Sequence, residues 1–321
     1  MTKPKEAHEG QVAELSRRTG QRTFYWRPGA DTRNLFGYMF VKAANDCGQL
    51  PHVACLMSNH THILVTDQTG RRSDFMQQLF SNSARKRNLQ LNRRENVWAP
   101  GQPGDMVVLD LEKIIARVLY IIMQAVAAGC VERVEDWTGF QILPRHWGKP
   151  MRFERPEHCG PTMPKVVEFT PMPPPGFEHL PLDDVIEFFE ALIAREEKRY
   201  AKKRRREVLG IEVCEATSPF YKPKTKAPMR TLNPRFSTSD RNLLFRALRR
   251  QRQFRNDHRT TLNRFRKGNR SVVFPAGTLQ MARLAGVRCA SCVAGHPLAT
   301  RTTWTAGVQA MWDDWLRTRA A

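Results

Sequence analysis

The pattern of apolar and polar positions predicts alternating strands and helices in the first half of the chain. Short apolar or aromatic runs predict strands at 23–27 and, as the two arms of a hairpin, over 51–66. Apolar residues at helical spacing predict helices over about 34–46, 73–91 and 111–128. A strand, a helix and a hairpin in this order are typical of an α+β fold in which helices cover one face of an antiparallel sheet.

The remainder of the chain has a different composition. Prolines are frequent over 147–182, which excludes long helices and predicts a linker or an extended strap. A long helix is predicted after Asp183, because acidic residues favour a helix N-terminus. The predicted organisation is a polar, weakly ordered tail (1–22), an α+β domain (23–146), a proline-rich linker (147–182), a basic and mostly helical region (183–285) and a C-terminal tail (286–321).

An excess of positive charge predicts the kind of partner. The 321 residues carry a net charge of +21, and 41% of them are apolar, as in globular proteins. Residues 229–270 hold 13 Lys and Arg against two Asp, beside an apolar stripe at helical spacing. A solvated helix normally mixes both signs, so this surface predicts a phosphate-binding face and a nucleic-acid partner. The alternative is that the Lys and Arg side chains only solvate helix faces.

Cysteine usage and hydropathy predict the compartment. The seven cysteines are an odd number, residues 1–22 contain no apolar signal segment, and no run approaches about 18 apolar residues. These features predict a cytoplasmic protein with free thiols and no membrane span. Cys289, Cys292 and His296 have half of the spacing of a zinc site, although no second pair lies at a standard distance.

The first candidate for chemistry is a pair of histidines in the predicted hairpin. His60 and His62 are two residues apart on its second strand, so their side chains project from the same face. Neutral imidazole is a good ligand for divalent transition metals, and two such groups make half of a metal site. A pair of this kind is more often an ordinary surface or core feature, so the assignment depends on further partners.

The helix predicted over 111–128 contains those partners. A helical wheel gathers its apolar residues on one face and places Tyr120 almost opposite the centre of that stripe. Gln124 lies one turn later on the same polar face, and Lys113 and Arg117 lie earlier on it. Core packing is the usual role of a tyrosine in an apolar run, but this position predicts an exposed phenol.

Two imidazoles, an amide and a tyrosine suggest one kind of reaction. A tyrosine phenolate can attack a phosphodiester and form a covalent phosphotyrosine. A divalent ion held by His60, His62 and an amide oxygen would polarise the scissile phosphate. Mg²⁺ prefers oxygen ligands, so Mn²⁺ is at least as reasonable an ion for this set.

Two motifs resemble the single-tyrosine HUH transposases, and especially the REP-associated tyrosine transposase branch. Residues 56–65 read LMSNHTHILV and resemble the signature VMPNHVHLLV. Residues 120–131 read YIIMQAVAAGCV and resemble YIxxNPVxAGLV, and the match continues through 132–137. The resemblance covers about 23–140, while residues 271–278 more loosely resemble tails of transposase-like bacterial proteins.

The resemblance implies a fold, a reaction and roles for four residues. The family has a ferredoxin- or RRM-like antiparallel sheet with flanking helices, and it cuts single-stranded DNA near hairpins. Its members leave a free 3′-OH, hold the 5′ phosphate on tyrosine, and many act as dimers. By resemblance, His60 and His62 are metal ligands, Gln124 is the third ligand for Mg²⁺ or Mn²⁺, and Tyr120 is the nucleophile in DNA transposition and recombination.

The chain departs from the family pattern at two places. Thr61 replaces an apolar residue between the histidines, which a β-branched side chain should tolerate. Gln124-Ala125 replaces Asn-Pro, so the helix is expected to lack a proline-induced bend. These departures bear on how Gln124 is aligned with the metal.

Two other functional classes stay open. One is a domesticated, non-catalytic DNA-binding regulatory protein of the same fold, which would need none of the four site residues. The other is an RRM-type RNA-binding protein, which would display Phe24, Tyr25 and Trp26 on the sheet. For the DNA-processing function, the predicted partner is single-stranded or hairpin DNA at the nucleoid, with a homodimer as a further expectation.

The basic side chains predicted to contact DNA are Lys113, Arg117, Lys202, Lys203, Arg204, Arg205, Arg206, Arg249, Arg250 and Arg252.

Overall fold

The computed structural model describes residues 4–224, 234–291, 296 and 298–320. Its strands are β1 (Gln11–Arg18), β2 (Gln49–Met57), β3 (His60–Asp67), β4 (Gly104–Val108), β5 (Gln141–Ile142), β6 (Met151–Glu154), β7 (Val166–Phe169), β8 (Phe236–Ser237), β9 (Val273–Phe274) and β10 (Arg288–Cys289). Its α-helices are α1 (Ala30–Cys47), α2 (Arg72–Gln90), α3 (Leu111–Ile122), α4 (Gln124–Ala127), α5 (Leu182–Lys203), α6 (Ile211–Ala216), α7 (Arg241–Arg266), α8 (Leu279–Ala285) and α9 (Ala306–Ala320). Short 3-10 helices cover Gly20–Arg22, Val134–Asp136 and Pro144–His146.

The main sheet of the described chain has the strand order β5-β2-β3-β1-β4-β8. Its central strands, β2-β3-β1-β4, are antiparallel to their neighbours, whereas β8 joins β4 in parallel. Helix α1 connects β1 to β2, and α2 connects β3 to β4. This order confirms the prediction of an α+β fold with a ferredoxin-like antiparallel sheet and flanking helices, followed by a largely helical C-terminal region.

The central strand of the sheet lies in the segment that was predicted to be a tail. β1 pairs with β3 along its whole length and with β4 over 12–16. Val12, Ala13 and Leu15 are all fully buried, although neighbouring residues point to opposite faces. A strand covered on both faces lacks clear apolar–polar alternation, which is why its pattern was not recognised. The prediction of a weakly ordered tail is therefore wrong for 11–18.

The aromatic residues at 23–27 do not form the predicted strand. Trp26 is completely buried and stacks on Trp98, with ring centroids 5.4 Å apart. Tyr25 is also buried, and the Arg93 guanidinium lies 4.1 Å from the centre of its ring. Both rings are packed in the interior beside the sheet, so Tyr25 and Trp26 are not displayed for stacking bases as the RRM-type alternative requires.

Helices cover both faces of the sheet, although one covered face was predicted. α1 and α2 pack on the face that carries Ala13 and Ile63. α3, α5 and α9 pack on the opposite face, which carries Val12 and Leu64. The prediction failed because the second layer is built partly from helices that lie far away in the sequence.

The helix predicted over 111–128 is interrupted. Asp110 caps its beginning, because its carboxylate accepts a hydrogen bond from the Lys113 backbone N–H at 2.9 Å. α3 ends at Ile122, Met123 leaves helical geometry with φ −75° and ψ 2°, and α4 follows. The segment is therefore divided into two helices, although no proline lies at the division.

Two segments predicted to be peripheral contribute to the core. β6 and β7 form an antiparallel hairpin inside the proline-rich segment, and Phe153 and Val167 bury their side chains beside α1. In the predicted C-terminal tail, Trp312 packs against Phe188 of α5 with ring centroids 5.0 Å apart. The boundaries proposed at 146, 182 and 285 stay predictions.

Within the described residues, no helix is long and apolar enough to cross a membrane.

A buried histidine connects the proline-rich segment (147–182) to the sheet. His52 on β2 is completely buried, and its Nδ1–H donates to the Met172 carbonyl at 2.9 Å. Its Nε2 accepts a hydrogen bond from the Thr66 hydroxyl at 2.8 Å. Burial lowers the pKa of His52 from 6.5 to about 4, because a charged imidazolium cannot be solvated there.

The lowered pKa of His52 predicts that the protein loses stability in mild acid. Between pH 6.5 and about 4 the unfolded chain binds a proton at His52 that the folded protein excludes. The free energy of unfolding should therefore fall as the pH falls through this window, by roughly 3 kcal/mol from this residue. Urea unfolding of wild type and His52→Gln at pH 7 and pH 5 measures the effect, with exposed His158→Gln as the control. Equal pH dependence in the wild type and the His52 variant would contradict the assignment.

Candidate active site at the open end of the sheet

Helix α3 covers only one end of its sheet face. Val12, Leu64 and Val108 are buried beneath it and form the apolar end of that face. At the other end, Glu14 and His62 open onto a cleft of about 720 Å³. The cleft is lined by Glu14, Ser16, Arg17, Arg18, Arg22, Asn59, His60, Thr61, His62, Ala99, Pro100, Gln102, Gly104, Met106, Arg117, Tyr120 and Pro234. The same sheet face is therefore hydrophobic where it is covered and polar where it is open.

The two histidines of β3 project into this cleft from alternate positions of one strand. The ring centroids of His60 and His62 are 5.4 Å apart, and the ring planes are nearly perpendicular at 86°. Neighbouring β1 and β2 pair with β3 on both sides and hold its backbone rigidly. The predicted hairpin, and the predicted placement of both imidazoles on one face, are found in the structure.

Each imidazole has a hydrogen-bond partner for its Nδ1 atom. His62 Nδ1–H donates to Glu14 Oε1 at 2.7 Å, and His60 Nδ1–H donates to Asn59 Oδ1 at 2.7 Å. A neutral imidazole carries one proton, so a ring that donates from Nδ1 has its Nε2 lone pair available to a metal ion. Nδ1 bound to a carboxylate or amide oxygen is also the arrangement that orients metal-binding histidines.

The environment of His60 favours a neutral ring that faces a second oxygen. Burial, and then the neighbouring His62, lower the pKa of His60 to about 4. Its Nε2 atom lies 3.0 Å from Gln124 Oε1, which is hydrogen-bond distance when Nε2 carries the ring proton. Two ligands bound to one ion at about 2.1 Å and at right angles are also about 3 Å apart. The pair therefore fits a shared divalent cation.

Gln124 is oriented by the backbone of the preceding helix. Its amide Nε2–H donates to the Tyr120 carbonyl at 2.9 Å, which turns Oε1 towards His60. The position lies just after the interruption at Met123, where α4 begins. His60, His62 and Gln124 could together supply two imidazole nitrogens and one amide oxygen to a metal ion, a donor set that suits Mn²⁺ and accommodates Mg²⁺.

Tyr120 stands at the rim of the cleft beside the histidines. Its side chain is 45% exposed, which agrees with its predicted position opposite the apolar stripe of α3. Its ring centroid lies 5.3 Å from that of His62, with the planes at 89°. The guanidinium carbon of Arg117 lies 5.3 Å from the centre of the Tyr120 ring. The phenol has no packing role in the core and is accessible to a molecule in the cleft.

Glu14 connects the histidine pair to the cation beside the tyrosine. Its Oε1 atom accepts from His62, and its Oε2 atom accepts from Arg117 Nη1 at 3.3 Å. The carboxylate is 5% exposed and lies between the two groups on the sheet face. Glu14 and Asn59 were not identified from the sequence. Asn59 directly precedes the histidine motif and could have been considered, whereas Glu14 required recognition of β1.

The structure separates the predicted DNA-binding residues into two groups. Arg117 lines the cleft, while Lys113 is half-buried near the other end of α3. The remaining positions lie at or after the end of α5 or on α7, away from the cleft lining. Two of them form ion pairs: Arg204 with Glu132 at 3.1 Å and Arg250 with Glu6 at 3.0 Å.

The predicted zinc half-site is described only in part. Cys292 lies outside the described residues, and the assignment stays a prediction. His296 lies instead beside two residues of the N-terminal segment, Glu6 and His8. The ligand atoms of these three side chains lie within 4.8 Å of one another, close enough to hold a metal ion.

Two solved structures are similar to parts of this chain. A REP-associated tyrosine transposase bound to a REP hairpin aligns with a TM-score of 0.36 and 16% identity, over 46% of this chain and 84% of that one. A provisionally assigned transposase from Deinococcus radiodurans R1 aligns with a TM-score of 0.27 and 19% identity, over 37% and 94%. Both TM-scores lie below 0.5, which is too low for residue roles to be transferred. No protein-family model and no curated protein matches the chain.

The hydrogen bonds that Glu14 accepts from His62 and Arg117 predict that a change at Glu14 weakens metal binding. Glu14→Gln keeps the size of the side chain but replaces the carboxylate that accepts from His62 and Arg117. Loss of such a partner typically lowers metal affinity about 10- to 100-fold. Calorimetric titration with Mn²⁺ should show this decrease, while exposed Glu9→Gln should bind as the wild type does. Wild-type affinity in Glu14→Gln would show that the carboxylate does not orient a metal ligand.

Proposed function

We propose that this protein is a metal-dependent DNA strand-nicking and rejoining enzyme that acts through a covalent phosphotyrosine, as in the single-tyrosine HUH transposases. The observation that carries the proposal is the convergence of four side chains at one cleft. His60 and Gln124 face each other at 3.0 Å, and the rings of His62 and Tyr120 are 5.3 Å apart. These residues come from β3, α3 and α4, and their proximity supports a shared role as a ligand set and a nucleophile.

The metal would be held by His60, His62 and Gln124. The unprotonated Nε2 atoms and the amide oxygen are suitable ligands for Mn²⁺ or Mg²⁺. Such an ion would polarise the scissile phosphate and stabilise its developing charge. Glu14 and Asn59 keep the imidazoles in the tautomer that coordination requires.

The proposed reaction conserves the number of phosphoester bonds. Tyr120 loses its phenolic proton, and its oxygen forms a bond to phosphorus while the bond from phosphorus to the 3′ oxygen breaks. The departing 3′ oxygen takes up a proton and becomes a free 3′-OH, and the 5′ phosphate stays on Tyr120. Attack by another 3′-OH on this phosphotyrosine rejoins DNA and releases the phenol, so strand transfer needs no external energy source.

The charge and shape of the cleft favour a single DNA strand as substrate. Arg17, Arg18 and Arg22 line it together with Arg117, and the Glu14 carboxylate is already paired. An accessible cleft of this kind suits a flexible phosphate backbone, whose bases can turn away from the reacting phosphate. The proposed substrate is single-stranded DNA beside a hairpin or repeat, processed in the cytoplasm at the nucleoid, with a homodimer as the proposed assembly.

The basic residues outside the cleft are proposed to bind neighbouring phosphates. Lys202, Lys203, Arg205 and Arg206 are exposed around the end of α5, and Arg249 and Arg252 are exposed on α7. They would extend the contact with DNA without taking part in the reaction.

Removal of a single oxygen atom tests the nucleophile. Tyr120→Phe should bind DNA with little change, because the lost hydroxyl is exposed and has no core contacts. Wild-type protein with Mn²⁺ and single-stranded DNA from its own flanking repeats should give an adduct that resists boiling in detergent. The variant should give neither adduct nor nick. A nicking Phe variant would indicate a water nucleophile, and a wild-type protein that binds without cutting would indicate the non-catalytic DNA-binding alternative.

The salt dependence of binding tests the basic surface. Each lost phosphate contact should lower the slope of log K against log salt by about 0.7 on single strands. The double variant Arg249→Gln/Arg252→Gln should therefore lower the slope by about 1.4 in fluorescence anisotropy. Arg152→Gln/Arg317→Gln removes two other exposed charges and serves as the matched control. Equal slopes for the two variants would exclude α7 from the DNA contact.

A further inference from the structure

A second cluster of metal-binding side chains joins the two ends of the described chain. Glu6 and His8 precede β1, and His296 precedes the segment that leads to α9. His8 Nε2 and His296 Nε2 each lie 3.0 Å from Glu6 Oε1. The two imidazole rings are 4.0 Å apart between centroids, with their planes at 40°. Three potential ligands thus surround one small volume outside the cleft.

Two atoms of the cluster are buried without a hydrogen bond among the described residues. They are Glu6 Oε2 and His296 Nε2. The second atom lies 3.0 Å from Glu6 Oε1, which is ion-pair distance. Burial of polar atoms without partners is costly, and a shared ion is one way to satisfy both. His8 Nε2 and Glu6 Oε1 already form a hydrogen bond at 3.0 Å, whereas Glu6 Oε2 has no partner among the described residues.

We propose that Glu6, His8 and His296 bind a structural zinc ion. Zn²⁺ commonly takes imidazole nitrogen and carboxylate oxygen, and a tetrahedral site with three such ligands leaves a fourth position for another ligand. Mg²⁺ is a poor match, because two of the three donors are nitrogen. This site does not depend on the proposed DNA chemistry.

The surrounding charges are compatible with a cation at Glu6. Arg250 of α7 donates its Nε–H to Glu6 Oε1 at 3.0 Å, so Arg250 and the two imidazoles share this oxygen and Oε2 is the oxygen that is available to a cation. Lys5 is paired with Asp105 at 2.8 Å. The Leu298 backbone N–H donates to His296 Nδ1 at 3.2 Å, so coordination through Nε2 would move the ring proton to Nδ1 and break this hydrogen bond.

The position of the cluster suggests what the ion would stabilise. Gln11 Nε2–H donates to the Leu298 carbonyl at 3.1 Å, and the Val12 N–H donates to the Thr300 hydroxyl at 3.1 Å. The C-terminal segment is therefore fastened to the beginning of the central strand. A zinc ion would strengthen this attachment and, through Arg250, would hold α7 against the sheet.

The proposal is tested by measuring how much zinc a variant without the two cleft histidines retains. The full chain carrying His60→Ala/His62→Ala should be stripped with a chelator, incubated with Zn²⁺ and freed of excess metal. Elemental analysis by inductively coupled plasma mass spectrometry should then find about one zinc ion per chain. Adding His296→Gln should abolish this retention, whereas adding His158→Gln at an exposed position should not. Zinc should also raise the Tm of the parent by several degrees and leave the His296 variant unchanged.

The nature of the ligands is tested with Co²⁺ in the same parent protein, which avoids any folding defect of the His296 variant. Visible absorption of tetrahedral Co²⁺ without thiolate charge-transfer bands is the expected spectrum. Thiolate bands would place the ion on cysteine and overturn the assignment. The absence of retained zinc in the parent, or equal retention after His296→Gln, would also overturn it and leave a hydrogen-bonded cluster of histidines, carboxylate and Arg250.

Discussion

The hydrogen bond from His62 Nδ1 to Glu14 is the contact on which the candidate site depends. It crosses from β3 to β1 at 2.7 Å and is possible because β1 is paired between β3 and β4. A carboxylate accepts but does not donate, so the bond determines which nitrogen of His62 carries the proton. The same carboxylate holds Arg117 next to Tyr120. The arrangement of the sheet is thereby linked directly to the protonation and charge of the cleft.

The division of one sheet face into a covered end and an open end explains where this chemistry can occur. α3 buries the apolar end, and its C-terminal part reaches the boundary with the polar end. Tyr120 therefore lies on the exposed side of a helix whose opposite side is fully packed. Gln124 follows at the beginning of α4 and lies opposite His60. A stable core and an exposed tyrosine are compatible because they lie on different faces of the helix.

Local patterns were sufficient to predict part of this site. The spacing of His60 and His62 determines their common face, and the wheel position of Tyr120 predicts its exposure, because both are properties of a single element. β1 and Glu14 were not predicted, since a strand buried on both faces has no clear period. The interrupted helix and the tryptophan packing of α9 against α5 depend on contacts between distant segments. Such contacts are not encoded in local periodicity.

The central claim is that the Tyr120 oxygen becomes bonded to a DNA phosphate. The most direct measurement is peptide mapping of the protein–DNA adduct after digestion with nuclease and trypsin. Cleavage after Arg117 and Arg133 releases the peptide 118–133, in which Tyr120 is the only tyrosine. The account predicts a nucleotide remnant on Tyr120 in the tandem mass spectrum. A remnant on another residue, or cleaved DNA with an unmodified peptide, would contradict it.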